Sequence, residues 1–232
     1  MTETYCVVIP AYNAADTIED ALQSILRQSI PPAEIIVVDD GSSDETANVV
    51  KKFGPPVTLI SQQNQGCGAA TNAGMERVST PLLAFLDADD IWLPGKARTQ
   101  LEYLAQNPAI SGLFGRAQIF KGTVEQPVLG SIIDMWSRTT MMIRTSVARE
   151  IGPMFDPPGG RGDTIDWLAR GQELGFRFEL LPEVMAMRRI RPGSLSYGRD
   201  TEKDRGYLLT IKRALDRRRE IALENVDRNK ND

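Results

Sequence analysis

The 232-residue chain contains no histidine. That removes Ser-His and Cys-His nucleophile pairs, imidazole acid-base chemistry and histidine-metal sites together, so any catalysis rests on carboxylates, hydroxyls, Lys, Arg and metal. Cysteine is scarce as well. Cys6, in an apolar run, and Cys67, in a Gly-rich turn, cannot build a disulfide framework or a zinc site, and both are expected as free thiols. No apolar run approaches the roughly 18 residues of a membrane span. The opening "MTETYCVVIPAYN" lacks a basic segment followed by a long apolar stretch and a small-residue cleavage site, so a soluble cytoplasmic protein is expected. Excess positive charge is missing too: the net charge of -4 gives no general attraction to nucleic acid, and none is expected as a partner. A Walker-type phosphate loop, internal repeats and low-complexity segments are all absent, which argues against a P-loop NTPase and against a repeat architecture.

What is present is a hydrophobic fraction of 41%, enough for one large domain or two joined halves. Through residue 90, short apolar runs alternate with helical patterns: "YCVVIP", a helix near 17–28, "EIIVVDD", a helix near 44–53, "VTLIS", a helix near 68–78, and "LLAFLD". This repeated β-α-β order predicts a mainly parallel sheet buried on both faces, with ligands at the carboxyl ends of its strands. Asp16 and Glu19 stand at capping-box spacing for the first helix, and Ile18, Leu22, Ile25 and Leu26 form its apolar face. Beyond Lys96 the alternation fades. A helix to about Asn107, a β-like "GLFGRAQIF", a loop "FDPPGGRGD", a helix from near Asp163, two strand-like runs "FRFELL" and "VMAMRRI", and a long polar C-terminal helix are expected. The reading divides the chain into a ligand-binding half at 1–95, a second half of the same domain at 96–198, and a C-terminal helix and tail at 199–232.

Three strand ends are polar: "PAYN", "DDGSSDET" and "DADD". In an extended chain Asp87 and Asp89 point the same way, offering carboxylate oxygens to one spot, as a hard divalent cation bound to a diphosphate requires. An isolated D-x-D is more often a solvated, helix-capping turn; its place at the end of a buried parallel strand reverses that preference. Capping accounts for Ser43 and Asp44. It does not account for Asp39 and Asp40, which could accept hydrogen bonds from a nucleobase N–H or ribose hydroxyls. "NQGCGAAT" looks like a dinucleotide fingerprint, but its third small residue is Thr71 and it sits in the third β-α unit, so only close backbone approach to a ligand remains.

The stretches "VVIPAYNAADTIEDALQSILRQ", "EIIVVDDGSSDET", "NQGCGAATNAG" and "FLDADDIWLPGK", in this order and spacing over residues 6–96, resemble the family 2 glycosyltransferases. Weaker similarity continues through "GDTIDWLARGQELGFRFELLPEV" to about Arg191. The resemblance implies a single A-type glycosyltransferase fold, a Rossmann-like mostly parallel sheet flanked by helices. It also implies a nucleotide diphosphate sugar donor, usually a UDP-sugar, and inversion at the anomeric carbon. Carried over by motif, Pro10, Ala11, Tyr12, Asn13, Asp39, Asp40, Asn64 and Gly66 would line the nucleotide-sugar pocket with Asp87, Ala88 and Asp89. Asp87 and Asp89 would hold Mn2+ or Mg2+, and Asp163 would be the base. Thr71 stands where many relatives have Arg before Asn, and Gly162 replaces the Glu of a Glu-Asp pair. The Gln-x-x-Arg-Trp of processive synthases is missing, so one sugar per encounter is expected.

The expected reaction is proton removal by Asp163 from an acceptor hydroxyl, with in-line attack opposite the departing diphosphate. The acceptor class, whether glycan, lipid-linked, peptide or small molecule, is not legible. The glycine-rich loop 157–162 reads equally as a lid or as a plain connection. Arg188, Arg189 and Arg191 are candidates for the diphosphate. The basic C-terminal helix is expected to pack through Tyr207, Leu208, Ile211 and Leu215, with peripheral contact at the inner membrane face as its rival role. Two other readings stand beside the transferase. A sugar-nucleotide pyrophosphorylase would need a Gly-rich, basic N-terminal loop that "VVIPAYNAADT" lacks. A noncatalytic nucleotide-sugar-binding scaffold draws support from Thr71 and Gly162.

Overall fold

A computed structural model describes residues 3–157, 160–191 and 201–231, the backbone alone at 201–203 and 221–231. The expected boundary after residue 198 and residues 158–159 of the expected lid lie outside the described residues. The first half alternates as its sequence does: β1 (Tyr5–Ala11), α1 (Ile18–Leu26), β2 (Glu34–Asp39), α2 (Thr46–Lys51), β3 (Val57–Ser61), α3 (Cys67–Arg77) and β4 (Leu82–Phe85). The second half contains β5 (Ile91–Trp92), α4 (Lys96–Gln106), β6 (Gly112–Gly122), β7 (Pro127–Met135), a 3-10 turn (Arg138–Thr140), β8 (Met142–Arg144), α5 (Thr145–Ile151), α6 (Asp163–Glu173), β9 (Phe178–Arg189) and α7 (Thr201–Asn231).

All strands join one sheet in the order β3-β2-β1-β4-β8-β6-β9-β5, with β7 paired to β6. Pairing is parallel from β3 through β4 and between β6 and β9; β8, β5 and β7 pair antiparallel. The two halves are therefore one sheet. Every residue of β1 and β4 is buried, which is why these strands read as unbroken apolar runs rather than alternating ones. On one face α1 buries Ile18, Ala21, Leu22 and Ile25, each large side chain worth about 1.5–3 kcal/mol of transfer from water. On the other face Trp167 of α6 packs with Phe85, Phe114 and Ile143 in a second cluster.

Several local expectations are corrected. The α1 N-terminus has no side-chain cap, so Asp16 does not close a capping box; the Ala14 carbonyl accepts from the N–H groups of Thr17 and Ile18 instead. "FRFELL" and "VMAMRRI" are not two strands but parts of one long β9, which runs beside β6. Most of the stripe expected to seat α7 faces outward: Leu208 is 70% exposed, and Ile211 and Leu215 are exposed as well, while Tyr207 turns toward Gly162 and the cleft. The helix is held through its opposite side. Thr210 is buried, Arg217 donates to Asp166 (2.7 Å) and Glu173 (2.8 Å), and the Arg213 guanidinium lies over the Phe155 ring. Among the described residues no helix is long and apolar enough to cross a membrane.

Candidate active site

The carboxyl ends of β1 and β4 open onto a cleft of about 710 Å³, whose other walls come from the β7 end, the 3-10 turn, the α6 N-terminus and the β9 end. Pro10, Ala11, Tyr12, Asp40, Asn64, Gly66, Asp87, Ala88, Asp89 and Asp163 all line it, so residues from five separate stretches of the sequence meet there. Two expected residues stand outside the lining. Asn13 Oδ1 accepts from the Ser43 N–H (2.9 Å), and Asp39 Oδ1 accepts from the Ser42 N–H (3.1 Å). Asp39 closes the turn after β2, and Asn13 holds that turn against the end of β1. Asp44 does similar work, accepting from the N–H groups of Ala15 (3.0 Å) and Thr46 (3.0 Å).

Asp40 faces the cleft but is already engaged. Its carboxylate accepts from Gln62 Nε2 (2.7 Å) and from the N–H groups of Gln65 (3.0 Å) and Gly66 (2.8 Å), which fixes the loop carrying Asn64. The group approaching the "GCG" backbone belongs to the chain itself. Asp156 Oδ2 accepts from the Gly68 N–H at 3.2 Å, and a Cβ on Gly66 would fall 1.9 Å from that oxygen. Gly66 also has φ +98°, so a side chain is excluded by space and by backbone together.

The acids of "DADD" do not share one environment. Asp90 is buried; it accepts from Thr139 Oγ1 (2.7 Å) and the Arg189 N–H (2.8 Å). Burial, followed by the charges of Asp89 and Asp87, holds its pKa well above the usual carboxylate range. Asp89 faces Arg191 at 3.5 Å, yet burial and Asp87 still push its pKa upward. Asp87 lies 3.4 Å from Arg138 Nε, and its Oδ1 is buried without a hydrogen-bond partner. Among the described residues no three His, Cys, Asp or Glu side chains converge as a complete ligand set.

Arg138 was invisible to motif reading and is the central cation of the cleft. Presented by the 3-10 turn, its guanidinium pairs with Asp163, reaches Asp87, contacts Thr71 Oγ1 at 3.4 Å and donates to Cys67 Sγ at 3.1 Å. Burial disfavours its charge, but Asp163 and Asp87 outweigh burial and hold its pKa well above the ordinary arginine value. The Cys67 thiol is pushed up to about 12, by burial first and then by Asp87, Asp163 and Asp156 against the opposing pull of Arg138. It remains a thiol. The one sequence signal for Arg138 was indirect: Thr71, where an arginine was expected, left a corner that needed a cation.

Asp163 opens α6, with Oδ1 accepting from the Thr164 N–H at 2.8 Å. Gly162 before it has φ +100°, and a Cβ there would lie 2.8 Å from Thr210 Oγ1. A glutamate at that position would strain the backbone and force Thr210 of α7 to shift, which fits the departure from the Glu-Asp pair in this chain. Asp166, one turn on, is fully buried between Arg170 (3.2 Å) and Arg217 (2.7 Å) and does not line the cleft. Of the basic residues at the end of β9, Arg189 is committed to Asp20 (2.9 Å), the Gly122 carbonyl (2.7 Å) and the Asp89 carbonyl (3.0 Å). Arg188 and Arg191 line the cleft beside it.

This architecture is the A-type glycosyltransferase fold. It superposes on the crystal structure of S. aureus TarS 1-349 in complex with UDP-GlcNAc with a TM-score of 0.73 at 18% identity, over 91% of this chain and 65% of that one. Mannosyltransferase PcManGT from Pyrobaculum calidifontis, in complex with GDP-Man and Mn2+, matches with a TM-score of 0.68 at 18% identity, over 84% of this chain and 59% of that one. The profile of "Glycosyl transferase family 2" matches residues 6–159, and the chain belongs to that family. Among curated relatives, the putative teichuronic acid biosynthesis glycosyltransferase TuaG of Bacillus subtilis is 38% identical over 43% of this chain and 41% of its own length. The Escherichia coli UDP-Glc:alpha-D-GlcNAc-diphosphoundecaprenol beta-1,3-glucosyltransferase WfgD is 34% identical over 49% of this chain and 45% of its own length. The matched segment spans less than half of each of these relatives.

Proposed function

We propose that this chain carries out metal-dependent, inverting transfer of one sugar from a nucleotide diphosphate sugar, a UDP-sugar, to an acceptor hydroxyl, without extending a polymer. The observation behind this reading is that Asp163 and Asp87 share one buried guanidinium, that of Arg138, inside one cleft. A carboxylate able to take an acceptor proton therefore stands beside the acids suited to a metal-diphosphate. The nucleotide sugars bound in the TarS and PcManGT crystals support the donor class.

A divalent cation fits the residues present. Asp87 Oδ1 accepts no hydrogen bond and lies 3.4 Å from Arg138 Nε, and the charge of Asp87 adds to burial in raising the pKa values of Asp89 and Asp90, a repulsion that a cation would relieve. Asp89 and Asp87 would hold Mn2+ or Mg2+, with diphosphate and water as further oxygen ligands. Such a cation supplies stabilisation of the charge that develops on a leaving diphosphate.

The chain's own groups do the rest. Pro10, Ala11, Tyr12 and Asn64 receive the nucleoside. Asp40 keeps the Asn64 loop in position, and Asn13 and Asp39 brace the neighbouring turn. Asp163 takes the acceptor proton as the oxygen attacks the anomeric carbon opposite the diphosphate. The Thr164 N–H at the α6 N-terminus and Arg138 hold its carboxylate in place. Proton transfer requires Arg138 to release an Asp163 oxygen, and an incoming diphosphate offers the guanidinium another anionic partner.

A thermal-shift screen of UDP- and GDP-sugars with and without Mn2+ tests this reading, since a ligand of the folded state raises its stability. A Mn2+-dependent shift with one donor, accompanied by slow donor hydrolysis that chelator abolishes, is the expected result. A shift without any hydrolysis would favour a scaffold.

A further inference from the structure

The outer face of α7 carries an arrangement that the transfer chemistry does not use. Leu208, Lys212, Leu215 and Arg219 follow one another at helical spacings of four, three and four, so they share a face, with Ile211 and Arg218 on its flank. Leu208 is 70% exposed, and the side chain of Arg219 is 79% exposed. The opposite side of the same helix is spent on the protein body, through buried Thr210 and the pairing of Arg217 with Asp166 and Glu173. The apolar stripe is therefore displayed by a helix already docked, not by one awaiting its place in the core.

We propose that this face of α7 is a docking surface for an anionic lipid bilayer. Three aliphatic side chains flanked by Lys and Arg are the composition of a helix lying in the headgroup plane, apolar face down and cations toward the lipid charge. The net charge of the whole chain is -4, so these cations are a local feature and not a reflection of a basic protein. Charge selects the bilayer over a second copy of the chain. Pairing two such faces brings a second set of the same cations, Lys212, Arg218 and Arg219, into one contact, whereas anionic headgroups neutralise them. The ion pairs these arginines make within the chain, Arg218 to Glu173 and Arg219 to Asp216, are 3.9 Å long, and the arginine side chains are 58% and 79% exposed, hence free to meet headgroups.

The surface is coupled to the cleft. Tyr207, next to Leu208, lines the cleft, Thr210 abuts Gly162, and Asp204 pairs with Arg161 at 2.5 Å. The helix that would meet lipid thus also holds the residues leading into Asp163.

Co-sedimentation with phosphatidylcholine vesicles containing phosphatidylglycerol tests the proposal without donor or acceptor, so its outcome is separate from that of the transfer reading. The wild-type protein should bind these vesicles, bind pure phosphatidylcholine at least about tenfold less, and lose binding in moderate salt. Leu208→Gln with Ile211→Gln and Leu215→Gln, and separately Lys212→Glu with Arg219→Glu, should each abolish binding while leaving melting temperature and the donor-induced thermal shift unchanged. Arg217 is not a suitable target, because its loss would undock the helix. Wild-type protein that ignores anionic vesicles, or variants that bind as well as wild type, would overturn the proposal. So would a solution dimer that the Gln variant turns into monomer, since the stripe would then belong to a second copy.

Discussion

Apart from Asp163, the acids of the cleft and the cations that balance them come from different halves of the chain. Asp40, Asp87, Asp89 and Asp90 belong to the β-α-β half, in short motifs at strand ends. Arg138, Arg189 and Arg191 come from the mixed half, where no motif announces them. Asp39, Asp40 and Asp44 each serve the first half alone: Asp39 holds Ser42, Asp44 holds Ala15 and Thr46, and Asp40 holds Gln62, Gln65 and Gly66. In the second half one side chain spans the fold, as when Arg138 joins Cys67, Thr71, Asp87 and Asp163. The difference teaches that charge balance in this protein is a tertiary property, completed only when β9 and the 3-10 turn meet the end of β4.

Breaking the acidic side should have the largest effect. Asp89→Ala is expected to abolish transfer and the Mn2+-dependent part of the donor thermal shift while preserving the fold, because Asp89 is a strand-end side chain and not part of the core. Near-normal transfer in that variant would refute the metal assignment.

Breaking the cationic side comes next. Arg138→Gln leaves Asp163 and Asp87 without their buried cation, so the metal-free protein should lose about 3 kcal/mol of stability in urea unfolding. Transfer should fall on the order of a hundredfold. Mn2+ should stabilise this variant more than wild type, since a divalent cation then supplies the charge that Arg138 provided. An equal or smaller Mn2+ effect would mean that Arg138 and the metal are not electrostatically linked.

The smallest effect sharpens the comparison by using a cation with no acid. Lys96 is buried, with its ammonium over the Trp92 ring at 3.8 Å and donating to Gln100 Oε1 at 2.7 Å. Burial holds its pKa well below the usual 10.5. Its folded pKa is depressed, so the unfolded chain binds more protons in the window between the two values, and stability rises with pH there. The stability of wild type relative to Lys96→Met should therefore increase as pH is raised toward 10.5, the usual lysine value. Parallel unfolding curves for the two proteins across that range would contradict the burial argument.

How much of this was legible depended on how local the cause was. The parallel half could be read because strands buried on both faces write themselves as apolar runs, and the buried residues of α1 repeat at helical spacing. The cleft residues from Pro10 to Asp89 followed from motifs at those strand ends. The start of α6 at Asp163 was readable from "GGRGD", since a glycine with φ +100° introduces the helix. Arg138 was not, because nothing within its own neighbourhood distinguishes it from a surface arginine. The failed capping box at Asp16 has the same origin. The Ala14 and Ala15 N–H groups are taken by Thr46 Oγ1 and Asp44 Oδ2, from a loop some thirty positions away, which sets the chain's entry into α1. The outward stripe of α7 shows the converse error: an apolar face at helical spacing was read as core, but spacing alone does not say whether the protein body covers that face.

The central claim is that the base and the D-x-D acids form one site. Asp163 lies in the cleft against Arg138, while Asp166, one turn further along α6, is locked to Arg170 and Arg217 away from it. Single-turnover transfer measured for Asp163→Asn and Asp166→Asn, alongside the donor and Mn2+ thermal shift of each, tests that claim most directly. The account predicts at least about a hundredfold loss of transfer with donor and metal binding retained for Asp163→Asn, and a stability defect with near-normal chemistry for Asp166→Asn. Near-normal transfer in Asp163→Asn, with the large chemical defect in Asp166→Asn, would contradict it.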